Sequence, residues 1–292
     1  MIIISGEYGQ LGNRLIVFAN MLAAARQHGL HVINPAFHEY ARYFEGTRRA
    51  IWPSPVHGGL KWVCRYAGKF RNRTGRWPPG LRVLDIGWHD VCDLDGAEFL
   101  ALARRRGVLL AKGWQFRARR TLPQHAQALR DFFAPVATHR IAIARLLEQV
   151  RCTADVVVGV HVRHGDYRQF LGGRFFYATS AYAALLRRLT ERFAGRRVAY
   201  LVCSNAPQPA AAFDGLDVTF GSGHSVEDLY ALAGCDYLVG PPSTYTMWAS
   251  FYGQVPLHIL VDPDTTPALT EFGVIHDFNQ VSAEYSAAPV VV

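Results

Sequence analysis

The sequence predicts an α/β protein made of two Rossmann-like domains, each built on a parallel sheet. Three observations lead there. Short apolar strands alternate with helical periodicities through both halves of the chain. The β-branched run from Val156 to Val162 has the composition of a strand covered on both faces and is too short for a helix of that make-up. The 292 residues are enough for two cores of ordinary size. The expected division is 1–150 and 151–292, with no internal repeat.

In chain order, Ile2 to Ile4 is a strand. The loop Gly6-Glu7-Tyr8-Gly9-Gln10-Leu11-Gly12-Asn13-Arg14 leads into a helix whose apolar positions Leu15, Phe18, Ala19, Leu22 and Ala25 repeat until Gly29 stops it. Val32–Ile33 is a second strand, and 36–44 a short helix. Between Arg48 and Arg82 basic residues interleave with Trp52, Trp62, Tyr66, Phe70 and Trp77, which marks an insert over 46–82. Such a tract could stack on bases, stack on sugar rings or rest on an anionic bilayer, and no nucleic-acid-binding module surrounds it. A strand at 82–86, a helix at 96–106 capped by Asp95, a strand at 108–111 and helices at 124–133 and 138–150 complete the first half. In the second half, strands at 156–162, 198–203, 218–220, 237–239 and 257–261 alternate with helices at 182–193, 225–233 and from Ser243 towards Tyr252. Ser225-Val226-Glu227-Asp228 has the form of a capping box.

Charge and cysteine content narrow the class. A net charge of +8 implies an anionic partner: nucleotide phosphates, nucleic acid or an anionic membrane surface. The five cysteines form no C-x-x-C pair, so neither a zinc site nor a disulfide framework is signalled. No apolar run reaches 18 residues and no basic n-region precedes the first strand, so a cytosolic protein is expected, with peripheral membrane contact through 48–82.

Chemistry concentrates where strands end. Arg163, His164 and Asp166 follow the strand at 156–162, the position at which open α/β sheets collect ligands. Arg163 and Asp166 could equally pair with each other across a turn and leave His164 exposed. Ser243 and Thr244 lie between a strand and a helix, where hydroxyls and N-terminal amides converge on phosphate, or serve as plain caps. Asp262-Pro263-Asp264 and Asp93-Leu94-Asp95 have the D-x-D form that binds a metal with diphosphate oxygens, although Asp95 also suits an N-cap.

The heptapeptide His161-Val162-Arg163-His164-Gly165-Asp166-Tyr167 resembles the H-x-R-R-x-D signature of α1,2- and α1,6-fucosyltransferases and of protein O-fucosyltransferases, with His164 at the second Arg as in the Nod-factor type. The glycine loop resembles the G-x-L-G-N-Q opening of α1,2-fucosyltransferases, with Arg14 for Gln. The segment Asp228 to Ala249 is similar to the stretch in which an acidic residue opens a helix and S-T-F-S-W-W follows a strand, with Met247 for the first Trp. This resemblance implies a GT-B-like fold, two Rossmann-like parallel-sheet domains facing each other across a cleft, acceptor on the N-terminal side and nucleotide sugar on the C-terminal side. It implies a metal-independent, inverting fucosyl transfer from GDP-fucose to a glycan hydroxyl, with no cofactor and no nucleic-acid partner. Carried over residue by residue, Arg163 would hold the β-phosphate and Asn13 would lie beside the reacting sugar. Gly12, His161, Asp166, Ser243, Thr244 and Tyr245 would line the donor, and Asp228 or Glu227 would meet the guanine edge. Glu7 and His164 are the candidates for receiving the acceptor proton. Nothing in the residues themselves separates fucose from another guanosine-linked sugar.

Overall fold

The computed structural model describes residues 1–48, 66, 69–87 and 90–278. It places them in two compact units, residues 1–136 with 277 and 278, and residues 137–276. Most of the basic and aromatic tract lies outside the described residues; within it, the Arg71 guanidinium sits 4.9 Å over the Trp77 ring.

The first unit is built on a four-stranded sheet in the order β2-β1-β5-β3, with every pairing parallel. Its strands are β1 (Ile2–Ile4), β2 (Val32–Ile33), β3 (Leu81–Asp85) and β5 (Val108–Lys112). Two further short strands, β4 (Cys92–Asp93) and β6 (Phe116–Arg117), pair only with each other. Helix α1 (Leu11–His28) carries the apolar stripe the periodicity anticipates and ends on Gly29 in the left-handed conformation at φ 63°. Its buried Asn20 accepts a hydrogen bond from the Ala118 amide at 2.7 Å and donates to the Ile16 carbonyl, which ties the helix to the chain leaving β6.

Two expected helices in this unit differ. The segment 36–44 is broken into a 3-10 turn (Pro35–Phe37) and α2 (His38–Ala41), followed by α3 (Glu45–Arg48). Phe44 leaves the helical path to bridge Pro135 and to join Phe18, Phe37 and Phe133 in an edge-to-face aromatic cluster. Helix α4 (Ala97–Ala103) is capped at Gly96 with no side-chain bond. Asp95 instead accepts from the Arg120 and Thr121 amides and from the Thr121 hydroxyl, and so serves the entry to α5 (Thr121–Gln124). Helix α6 (Ala126–Phe132) follows directly.

The second unit is a five-stranded parallel sheet in the order β11-β10-β7-β8-β9. Its strands are β7 (Val156–Val162), β8 (Val198–Ser204), β9 (Asp217–Phe220), β10 (Tyr237–Gly240) and β11 (Leu257–Ile259). Helices α7 (Ala137–Arg151), α8 (Thr179–Thr190), α9 (Ser225–Leu232) and α10 (Thr244–Gly253) connect and cover it. Every residue of β7 is buried. Val156, Val158, Val160 and Val162 share one core with Tyr182, Leu185, Leu186 and Leu189 of α8. The opposite face is closed by α7, α9 and α10, tightly enough that a side chain at Gly159 would meet Leu232, Leu238 and Cys235. The boundary between units falls at 136/137 rather than at 150/151, because α7 packs on α9 and on β7, β8 and β9.

This strand order is the doubly wound one. The chain starts in the middle at β7, moves outward through β8 and β9, then returns to the other side of β7 with β10 and β11. The direction reverses between β7 and β10, and at such a point the loops leaving the two carboxyl ends part to form a crevice.

One packing contact permits a direct test. A Cβ on Gly253, the last residue of α10, would lie 1.9 Å from the Ala233 carbonyl oxygen just past α9. The atom met is backbone and cannot rotate away, so Gly253→Ala is expected to cost about 3 kcal/mol, the upper end for overpacking. Urea unfolding of the variant measures it, and an unchanged midpoint would contradict the close approach.

Candidate active site

Both loops that flank the β7/β10 crevice carry residues of the motifs. From β7 come His161, Arg163, His164 and Asp166. From β10 come Ser243, Thr244 and Tyr245.

Arg163 begins where the strand ends. Its side chain is 12% exposed, and Nη2 donates to Asp166 Oδ2 at 2.8 Å. The guanidinium sits 5.4 Å from the centroid of the Tyr167 ring. Tyr167 in turn donates its hydroxyl to the Pro242 carbonyl at 2.5 Å, and burial pushes that hydroxyl up to about 12. Tyr167 therefore braces the Arg163 loop against the residue before Ser243. The Arg163–Asp166 pairing read from the sequence does form, and it aims the fork of a cation that cannot lose its proton.

His164 is not exposed as the pairing alternative supposed. Its Nε2 donates to the Tyr177 carbonyl at 2.8 Å, its Nδ1 accepts from Gln208 Nε2 at 3.1 Å, and its ring lies 4.8 Å from Phe176. Both ring nitrogens are thus hydrogen-bonded within the turn, which fixes the orientation of the imidazole. Asn205 completes the turn, accepting from the His164 amide at 2.8 Å and reaching the His164 carbonyl and Asp166 Oδ1. Gly165 is required here: its φ is 55° and a Cβ would meet the Asn205 amide at 2.8 Å.

His161 is 3% exposed, and its ring lies 4.9 Å from that of Tyr245. Burial, assisted by the Arg163 charge, depresses its pKa to about 3, so it is a neutral imidazole at any physiological pH. Its Nδ1 is buried without a hydrogen-bond partner, which in a polar group marks strain or a missing ligand.

Ser243 is the N-cap of α10, its hydroxyl accepting from the Tyr245 amide at 3.2 Å, while Thr244 opens the first turn beside the N-terminal amides. Tyr245 donates its hydroxyl to the Ser225 carbonyl at 2.7 Å. Asp228, 4% exposed, is bound to a different partner from the one expected. Oδ1 accepts from the Ser222 amide and Oδ2 from the Gly223 amide, while His224, not Ser225, caps α9. The carboxylate is thus committed to the loop 222–223, and Glu227 is committed to His139 and Ser222.

The remaining candidates belong to the first unit, at the carboxyl end of β1. Gly9, at φ 62°, receives the Asn13 amide, which would lie 2.2 Å from a Cβ there, and Gly6 receives the Tyr8 ring in the same way. Gly12 is buried in the first turn of α1. Arg14 binds the Gly9 and Ala36 carbonyls and Glu39, and Glu7 lies 3.9 Å from His38. Of the D-x-D sequences, Asp262 accepts from the Asp264 amide and the Thr265 hydroxyl, the bonds of a self-capped turn.

Tyr167, Asn205 and Gln208 are site residues the sequence reading did not single out. The signal for the last two was available, since they follow β8, the neighbour of β7 at the same carboxyl edge. For Tyr167 no local pattern points to a carbonyl 75 residues away.

The state of His161 has a measurable consequence. Unfolded, its imidazole titrates near 6.5; folded, near 3. Between these values the unfolded chain binds the extra proton, so this residue's contribution to stability is lost as pH falls from 6.5 towards 3 and is constant above. His161→Gln should flatten the acid limb of stability against pH by a slope approaching about 1.4 kcal/mol per pH unit. Denaturant midpoints across that range test it.

No family model matches the chain, and no curated protein matches it in sequence. Solved structures do match in fold. A GDP complex of an Arabidopsis thaliana FUT1 variant is similar with a TM-score of 0.60 at 17% identity, covering 93% of this chain and 73% of that one. NodZ alpha-1,6-fucosyltransferase soaked with GDP-fucose is similar with a TM-score of 0.54 at 14% identity, covering 93% and 96%; other NodZ structures are from Bradyrhizobium. POFUT1 in complex with GDP gives 0.54 at 12% identity, covering 89% and 97%. The chain therefore has the parallel-sheet α/β architecture of GT-B fucosyltransferase structures.

Proposed function

We propose that this chain is a metal-independent, inverting glycosyltransferase that moves L-fucose from GDP-fucose to a hydroxyl of a glycan, a bacterial surface polysaccharide or a lipid-linked oligosaccharide. The observation that carries the proposal is the crevice between β7 and β10, where a braced guanidinium and a helix N-terminus are presented from adjacent loops. Structures of similar fold are complexes with GDP or GDP-fucose, which suits that crevice.

When the diphosphate departs, negative charge grows on its β-phosphate as the anomeric carbon acquires positive character. Arg163 offers two parallel donors to that charge, and its geometry is set in advance by Asp166 and Tyr167. The Thr244 hydroxyl and the first amides of α10 would take the other phosphate oxygens. The buried His161 and the half-buried Tyr245 would supply a neutral polar edge for the nucleoside, and the orphaned His161 Nδ1 would gain its missing partner there. Asp228 serves the base indirectly, by shaping the loop 222–223. In the first unit Asn13 would attend the sugar. Glu7 and His164 are the candidates for receiving the acceptor proton. No metal is needed because the guanidinium supplies the positive charge. Among the described residues no helix is long and apolar enough to cross a membrane; peripheral contact through 48–82 belongs to the proposal.

Calorimetric titration with GDP, UDP and CMP in EDTA, followed by turnover of GDP-fucose and GDP-mannose, tests this reading. Selective GDP binding is expected, with transfer surviving EDTA. Arg163→Ala should weaken GDP binding and lower kcat by about 100-fold or more. Binding of UDP that requires Mn²⁺ would overturn the reading in favour of Asp262 and Asp264. A protein whose only activity is nucleic-acid or vesicle binding, lost on neutralising 48–82 and indifferent to Arg163, would overturn it in favour of a basic binding protein.

A further inference from the structure

We propose that His139, His224 and Glu227 form a binding site for a divalent transition-metal ion of the zinc class, which cross-links α7 to α9 and takes no part in sugar transfer. The three residues belong to the second unit. His139 is the third residue of α7, His224 the cap of α9, and Glu227 the third residue of α9. All three are half-buried, and one ligand atom from each lies within 4.8 Å of the other two.

The donor set is the one that ions of the zinc class prefer, two imidazoles and a carboxylate, with a fourth position left for water. His139 Nδ1 and Glu227 Oε1 are 2.9 Å apart and share a proton. A tetrahedral ion with bonds of about 2.0–2.1 Å separates its ligands by about 3.3 Å, so the cation would take the place of that proton with little movement. His224 lies stacked on His139, ring centroids 4.7 Å apart at 23°. Its Nδ1 accepts from the Val226 and Glu227 amides at 3.3 and 3.4 Å. These are long bonds, and a rotation of the ring would exchange them for a metal bond while closing the widest separation by about 1.5 Å. The Ser222 hydroxyl, donating to Glu227 Oε2 at 2.9 Å, already orients the carboxylate in the manner of an outer-shell partner. The positive ends of two helices oppose a cation, and the Glu227 charge offsets them; the affinity expected is therefore micromolar rather than that of a closed structural zinc site.

The site lies outside the proposed donor crevice but next to it in the chain. Ser225, which follows His224, accepts the Tyr245 hydroxyl, and the Tyr245 ring lies against His161. An ion here would hold the start of α9 and so secure the wall on which Tyr245 rests.

The full chain, stripped with EDTA and dialysed, should be titrated with Zn²⁺ by calorimetry and with Co²⁺ by visible absorption. One ion per chain is expected, with a Kd on the order of 1–10 μM, a tetrahedral Co²⁺ band and a rise in Tm that saturates with Zn²⁺. His139→Ala and Glu227→Gln should each weaken binding at least tenfold and abolish the rise in Tm, while His125→Ala in the first unit changes neither. Far-ultraviolet circular dichroism and a cooperative urea transition of the metal-free variants report that they are folded. Anomalous scattering from Zn²⁺-soaked crystals of the unsubstituted chain locates the ion without any mutation. A peak among the three residues supports the proposal. A peak elsewhere, no peak, or titrations indifferent to His139 and Glu227 would overturn it. None of these readouts depends on the sugar donor, so the proposed transfer reaction stands or falls separately.

Discussion

The bond from the Tyr167 hydroxyl to the Pro242 carbonyl holds the second unit's site together. Strand pairing sets the loop after β7 beside the loop after β10, and this bond ties the two together beyond the sheet edge. With it, a ring buried between them supports the Arg163 guanidinium on one side and fixes the approach to Ser243 on the other. A lone exposed Arg–Asp pair contributes little to stability and holds its geometry poorly. Here the pair is backed by a buried aromatic surface and by Asn205, so the direction of the fork is determined before any ligand arrives. Preorganisation of this kind makes a charged donor effective on a developing anion.

Around that brace the polar groups divide by how fully they are satisfied. Asp228 is buried and accepts from the Ser222 and Gly223 amides; His164 is hydrogen-bonded at both ring nitrogens. In these groups the hydrogen bonds hold the surrounding loops in shape. His161 is as deeply buried yet leaves one nitrogen without a partner, and Thr244 stands at the start of a helix whose amides point outward. His161 Nδ1 and the first amides of α10 both lie on the crevice side of β7 and β10. Free energy withheld from folding in this way is available to a ligand.

Much of the fold was legible in residue patterns. Hydrophobic periodicity identified α1, β7 and α10, because each has a buried face or two, and Gly29 marked where α1 stops. The failures have a common physical cause. Asp95 and Asp228 both looked like local helix caps, and each instead binds backbone amides outside its own helix start. Phe44 looked like a helix residue and was drawn out by an aromatic cluster with Pro135 beside it. For Asp95 and Phe44 a local propensity of modest size lost to a contact formed at longer range, and for Asp228 to the loop immediately before its own helix.

The amino-acid sequence by itself determined the fold class, most of the strands and helices, and the fact that Arg163, Ser243 and Thr244 occur at strand ends. Period and composition are local properties, and local rules suffice to read them. Only the tertiary structure decided that β10 lies beside β7, so that residues 80 positions apart share one crevice, and that Tyr167 joins them. It also decided that His164 is a strut, that Asp228 is occupied, and that His139 meets His224 and Glu227. These are matters of strand order and of which polar group reaches another first, and strand order is settled by the packing of the whole sheet.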